Sequence, residues 1–211
     1  MNAARMTLAA GAAFAAAVLV QLLAFPPTAD SSSPPTAIAA YYLDHAGTDV
    51  ASDYLSLVAT PLFVALVCGL AAQVPAALRR IVLTALAVAA GLEVTATGLE
   101  LALSASVAAT APATTAGALF QVASRFFFLS LLWLGIAVGG IAVGGPARGW
   151  LRALGGVAAV VLLGAGAATA HPHGPLGVLV LPAEALLVAW AIAQVVTGLR
   201  RPSPALVTSA A

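Results

Sequence analysis

The chain has 211 residues, of which 62% are hydrophobic and only 7% charged, with 8 Arg, no Lys and a formal net charge of +1. A soluble domain averages about 25% charged residues, so a chain this apolar cannot cover itself with polar surface in water. Absence of Lys excludes Schiff-base chemistry, a single Cys excludes an intrachain disulfide, and no basic patch exists for nucleic acid.

Six apolar runs separated by breakers predict six membrane-spanning helices. Each needs about 20 residues to cross the hydrocarbon layer. The first runs over 6–25 and is stopped by Pro26 and Pro27. It is too long for the apolar segment of a secretory signal peptide and reads as an uncleaved first helix. The longest connection follows. Its first part is rich in Ser and Pro and reads as irregular. The stretch TAIAAYYLDH, 36–45, reads as a short helix lying at the interface, with Tyr41 and Tyr42 at headgroup level and Gly47 ending it.

The second span is expected over 50–78, with Thr48 or Asp49 as N-cap and a kink at Pro61. Arg79 and Arg80 form a tight turn before a third span over 81–107. The short connection 109–115 makes the third and fourth spans antiparallel neighbours. The fourth, over 116–143, carries Gly135 with Gly139 and Gly140 with Gly144, the four-residue spacing that lets helices approach closely. The fifth, over 151–170, is almost wholly Gly, Ala, Val and Leu, a composition suited to a packed interior helix. The turn HPHGP leads into the sixth, over 176–199, and residues 202–211 form a disordered tail. The fold class is therefore all-α, a polytopic bundle in one membrane domain over 1–201.

The Arg residues fix an orientation. Arg5, the pair Arg79 and Arg80, the pair Arg148 and Arg152, and the pair Arg200 and Arg201 all lie at connections on one side of a six-span topology. The other three connections hold no Arg. Positive charge beside a span stays on the cytoplasmic side. Both termini are thus expected inside a bacterial plasma membrane.

The eighth Arg, Arg125, and three Glu lie within the spans. On the third, Glu93, Thr97, Glu100 and Ser104 are spaced by 4, 3 and 4 residues, which places them on one narrow stripe. Lipid would leave such groups without partners, so the stripe should face the bundle or a water-filled cavity. At 1.5 Å per residue, Glu93 is about 21 Å below the outer boundary, Glu100 about 10 Å, Arg125 about 14 Å and Glu184 about 12 Å. Arg125 is expected to meet these acids on the neighbouring helix, with Gln121 one turn outward on the same face. Pro182 is expected to free the carbonyl of Val178 beside Glu184. Gln21 adds a further polar group, and Asp44, His45, Asp49, Asp53, His171 and His173 lie just above. Polar residues gather in the outer half, which predicts a cavity open to the outside and narrowing toward Arg125 and Glu93.

A Glu–Arg pair between helices is also what a bundle needs for register alone, because an unpaired charge at mid-membrane costs about 2.5–3.5 kcal/mol. Three acids against one Arg exceed that need, so the cluster of Glu93, Thr97, Glu100, Gln121, Arg125 and Glu184 is read as a ligand or proton site. Arg125 would hold an anionic group or set a carboxylate's charge, and Glu93 would be the deepest proton or cation site. Weaker candidates for a metal are His45, His171, His173 and Asp44. Cys68 reads as a small buried apolar residue.

The stretch AAYYLDHAGTDVASDYLSLVATPLF, 39–63, and the layout around it resemble a group of uncharacterised bacterial integral membrane proteins of about six spans. These have a long outer segment with a short helix, then a second span that opens with an acidic, aromatic turn. The resemblance is one of layout and implies no activity. There is no HExxH, GxSxG or P-loop, and no paired in-span His suited to haem. No cofactor is expected. The partners expected are the lipid bilayer, a small solute, cation or lipid headgroup, and a second copy or another membrane subunit. Three functions stay open: a binding or transport protein, a membrane-embedded enzyme acting on lipid through outer His and Asp, and an accessory subunit without chemistry of its own.

Overall fold

The computed structural model describes residues 3–25, 33–147, 149–170 and 178–199. Among these the protein is all helix. Six helices are long and apolar enough to cross a membrane: α1 (Ala3–Ala24), α2 (Pro35–Ala71), α3 (Ala76–Ala102), α5 (Ala113–Gly144), α6 (Gly149–Ala167) and α7 (Val180–Leu199). A π-helical turn, Leu103–Val107, and the short α4, Ala108–Thr110, continue α3. The proline pair Pro26 and Pro27, Arg148, the HPHGP turn and the tail lie outside the described residues.

The interfacial helix is not separate from the second span. α2 is continuous over 37 residues and passes through Gly47 and Pro61, so it is about 55 Å long. Its first turns have something to pack on. Ile38 and Tyr42 are buried with Leu103, Ala108, Ala116 and Phe120, and the Tyr42 and Phe120 rings meet edge-on at 5.8 Å. Helix packing here outweighs the modest cost of Gly in a helix. Thr48 does not cap a helix; its hydroxyl donates to the His45 carbonyl one turn back. Pro35 starts α2, where a missing N–H costs nothing.

α2 also ends earlier than expected, at Ala71, and the turn before α3 is made by 72–75. Pro75 precedes α3, so Arg79 and Arg80 stand in the first turn of that helix and not in the turn before it.

Helix lengths locate the membrane. α1, α6 and α7 have 22, 19 and 20 residues, close to the about 30 Å of hydrocarbon. Gln21, near the end of α1, bonds Ser52 of α2. α1 runs on for three residues to Ala24, so most of the 17 residues of α2 before Ser52 project past its end, by about 20 Å. There they meet the π turn, α4 and the start of α5, forming a cap above the shorter helices. Arg5, Arg79, Arg80 and Arg152 lie at the opposite end of the bundle.

Glycines set the tightest helix contacts. A Cβ on Gly135 would lie 3.0 Å from the Ala159 carbonyl oxygen, and one on Gly166 would lie 2.6 Å from the Leu132 backbone nitrogen, so α5 and α6 touch backbone to backbone. Gly140 and Gly144 receive Val82, Leu78 and Val74 instead. The two Gly pairs of α5 thus serve different neighbours. α6 is not an interior helix: it packs on α5 and α7, while Val157 and Val160 are exposed. Its small residues serve one face only. Cys68 is likewise exposed, not buried.

Candidate functional site

One cavity of about 580 Å³ is enclosed by α1, α2, α3, α5 and α7, in the half of the bundle away from the Arg-bearing end. Its volume is typical of small-molecule sites, about 300–1,000 Å³. Two polar stripes face it. Glu93, Thr97 and Glu100 come from α3, while Ser104, the fourth residue of that stripe, is not among the lining residues. Asp53, Ser52, Ser56 and Thr60 come from α2. Glu184 closes the third side from α7, and Gln21 the fourth from α1.

Each helix holds its groups in a defined way. Gln21 Nε2 donates to Ser52 Oγ at 3.1 Å and to Ser56 Oγ at 2.7 Å, tying α1 to α2. Ser130 Oγ of α5 donates to Glu93 Oε2 at 2.6 Å, and the same oxygen lies 2.8 Å from the Phe127 carbonyl. Ser104 donates back to the Glu100 carbonyl, beside the π turn. π turns recur at functional sites because they interrupt regular helix bonding.

Asp53 differs from the rest. It is 7% exposed, lines the cavity, and its Oδ2 has no hydrogen-bond partner. A buried carboxyl oxygen left unpartnered is costly, and such groups call for an explanation. Above it lies a second buried acid, Asp49. Its Oδ1 is 3.5 Å from the Tyr41 hydroxyl, a long and weak contact, and its Oδ2 is also unpartnered.

Arg125 does not join this cluster. It is exposed and does not line the cavity, and neither does Gln121. No carboxylate pairs with Arg125 among the described residues. Two physical reasons account for the difference from expectation. Arg125 is about 140° around α5 from Ser130, the residue that meets Glu93, and sequence alone does not fix that rotation. The first turns of α5 also belong to the cap, so Arg125 lies nearer the headgroups than a count from Ala116 suggests. A long cationic side chain at that level extends toward the polar layer. Pro182 falls in the first turn of α7, so it frees no carbonyl within the helix.

The metal candidates are not assembled. Among the described residues no group of three or more potential ligands exists. His45 stacks on Tyr41 with ring centroids 4.4 Å apart, and its Nδ1 is 3.0 Å from the Tyr41 carbonyl. Asp44 is exposed, and His171 and His173 lie outside the described residues.

In the sequence alone Asp53 and Gln21 stand out only as polar residues of the outer half, and Ser52, Ser56, Thr60 and Ser130 are not among the expected site residues. A signal for the α2 group was present: Asp49, Ser52, Asp53, Ser56 and Thr60 recur with helical periodicity, the same pattern that marked α3. Ser130 is a lone hydroxyl in an apolar run and carries no such signal.

Among the described residues, Asp53, Glu93, Glu100 and Glu184 are the charged residues that line the cavity, and no Arg or His is among them. Phe14, Phe63, Phe127, Leu86 and Leu131 supply an apolar wall. The arrangement is suited to holding positive charge. No known protein family, no curated protein and no solved structure matches the chain.

Proposed function

We propose that the protein resides in a bacterial inner membrane with both termini cytoplasmic, and that its intramembrane cavity binds a small cationic solute from the outer side, as the binding step of transport. The observation that carries this reading is the sign of the cavity: four carboxyls and no cationic side chain among its described lining residues. In a low-dielectric site such an excess of acids is stable only when protons or a bound cation compensate it. The Arg residues at the opposite end support the orientation by the positive-inside rule. The bacterial setting rests on the resemblance of the layout to bacterial integral membrane proteins. The absence of Arg125 from the cavity removes the reason to expect an anionic ligand.

The test is binding and uptake of a panel of radiolabelled monovalent cations, from sodium to tetraphenylphosphonium, by the purified protein in liposomes. At least one cation should bind saturably, and Asp53→Asn with Glu100→Gln should abolish it in protein that still folds. Absence of binding across the panel overturns the reading.

A second reading, an accessory subunit, draws on Arg125. An exposed guanidinium on a long apolar helix is suited to a carboxylate of a partner chain. Co-purification of a defined membrane partner that Arg125→Ala releases would support it.

A further inference from the structure

The mouth of the cavity indicates what enters it. Among the described lining residues, those exposed to the surroundings are Leu22, Val178 and Leu181, at 37%, 74% and 65%. All are apolar. Leu22 is near the end of α1, Val178 lies two residues before α7, and Leu181 is in its first turn. These two helices run antiparallel, with Val195 against Gly11 and Leu8 against Gly198. Carrying that register along both helices brings Leu22 beside Glu184. The mouth thus lies between α1 and α7, near the level where α1 ends, which is where the hydrocarbon gives way to headgroups.

We infer that the ligand is an amphipathic organic cation, an ammonium or phosphonium bearing an aromatic or alkyl body, that enters from the membrane between α1 and α7. This deepens the cation-binding reading and rests on it. A hydrated inorganic ion would have to pass the exposed apolar side chains of Leu22, Val178 and Leu181. An organic cation already sits in the interface with its charge among headgroups and its body in the acyl layer, at the depth of the mouth. Inside, its charge meets Asp53, nine-tenths buried with an unpartnered oxygen, together with Glu100 and Glu184. Its body meets Phe14, Phe63 and Phe127, whose ring faces also favour a cation. The cavity, about 580 Å³, is far larger than one metal ion needs.

The experiment uses the full chain in nanodiscs of zwitterionic lipid. The probes are radiolabelled tetraphenylphosphonium and the small, water-soluble tetramethylammonium. Tetraphenylphosphonium should bind saturably, with its affinity reduced tenfold or more by Asp53→Asn and by Glu100→Gln. Tetramethylammonium should fail to displace it. Leu181→Trp and Leu22→Trp, which crowd the mouth, should slow its association several-fold. Glu184→Gln serves in place of either acid variant that does not fold. Binding of tetramethylammonium without tetraphenylphosphonium overturns the proposed ligand class and leaves the cation-binding reading standing. Binding of neither overturns the proposed ligand class, and the cation-binding reading falls with it only when sodium and the rest of the panel also fail to bind. Tetraphenylphosphonium binding that ignores all the acid variants overturns the assignment to this cavity. Unchanged association in both Trp variants overturns the entry route.

Discussion

Ser130 Oγ lies 2.6 Å from Glu93 Oε2, joining α5 to α3 at the deep end of the cavity. Ser130 is fully buried, and its hydroxyl sits between Glu93 and the Phe127 carbonyl. Such a bond shows its strength most when one partner is removed. Ser130→Ala should destabilise the protein by about 1–3 kcal/mol, because a buried carboxyl loses its partner. The double variant Ser130→Ala with Glu93→Leu should recover much of that loss, since replacing both partners by apolar groups is nearly neutral. Reversible unfolding in mixed micelles measures both. A double variant no more stable than Ser130→Ala would show that the bond is not the cause.

The Gln21 tie to Ser52 and Ser56 should behave differently. Both acceptors are helical Ser hydroxyls, which can turn to the carbonyl four residues back. Gln21→Leu should therefore cost less than about 1 kcal/mol, near the about 0.6 kcal/mol average for polar contacts between membrane helices. The same unfolding assay should rank it below Ser130→Ala.

How far the sequence disclosed this protein depends on which physical signal each feature leaves. Six spans are written in apolar runs, and the α3 stripe in the spacing of Glu93, Thr97, Glu100 and Ser104. The first needs only the length of an apolar run, and the second only helical periodicity. The long α2 was not legible, because Gly47 looks like a stop until Tyr42 is seen packed against Phe120. Arg125 was misplaced for a related reason. Its depth was counted from one helix, but its direction depends on how α5 turns against α3, and packing sets that. Asp53 was within reach of the sequence, since the α2 stripe has the same periodicity as the α3 stripe.

The glycines of α5 and α6 divide by what surrounds them. A Cβ on Gly166 would fall within 2.7 Å of the Leu132 backbone, which has no rotamer with which to move aside. Gly156, on the same helix, has nothing within 4 Å. Gly166→Ala should cost about 1–3 kcal/mol by forcing α5 and α6 apart. Gly156→Ala should be neutral or stabilise by about 0.5–1 kcal/mol, as Gly to Ala does within a helix. In one detergent, thermal unfolding should come earlier in Gly166→Ala and no earlier than in the parent in Gly156→Ala.

Orientation can be read chemically from both faces. Asp44 is an exposed residue of the cap, and Arg80 is an exposed residue in the first turn of α3 at the opposite end. With Cys68 first changed to Ala, a single Asp44→Cys should react with a membrane-impermeant maleimide on intact spheroplasts. A single Arg80→Cys should react only after the membrane is opened. The cap would then stand on the outer face and the Arg residues on the cytoplasmic face, as the positive-inside rule requires. Cys68 itself is exposed in the lower half of α2, a few turns from Arg79 and Arg80 along the chain. Facing lipid, it should stay unreactive in intact and opened membranes alike. Labelling of Arg80→Cys on intact spheroplasts, with Asp44→Cys protected, would invert the topology and turn the acidic cavity toward the cytoplasm.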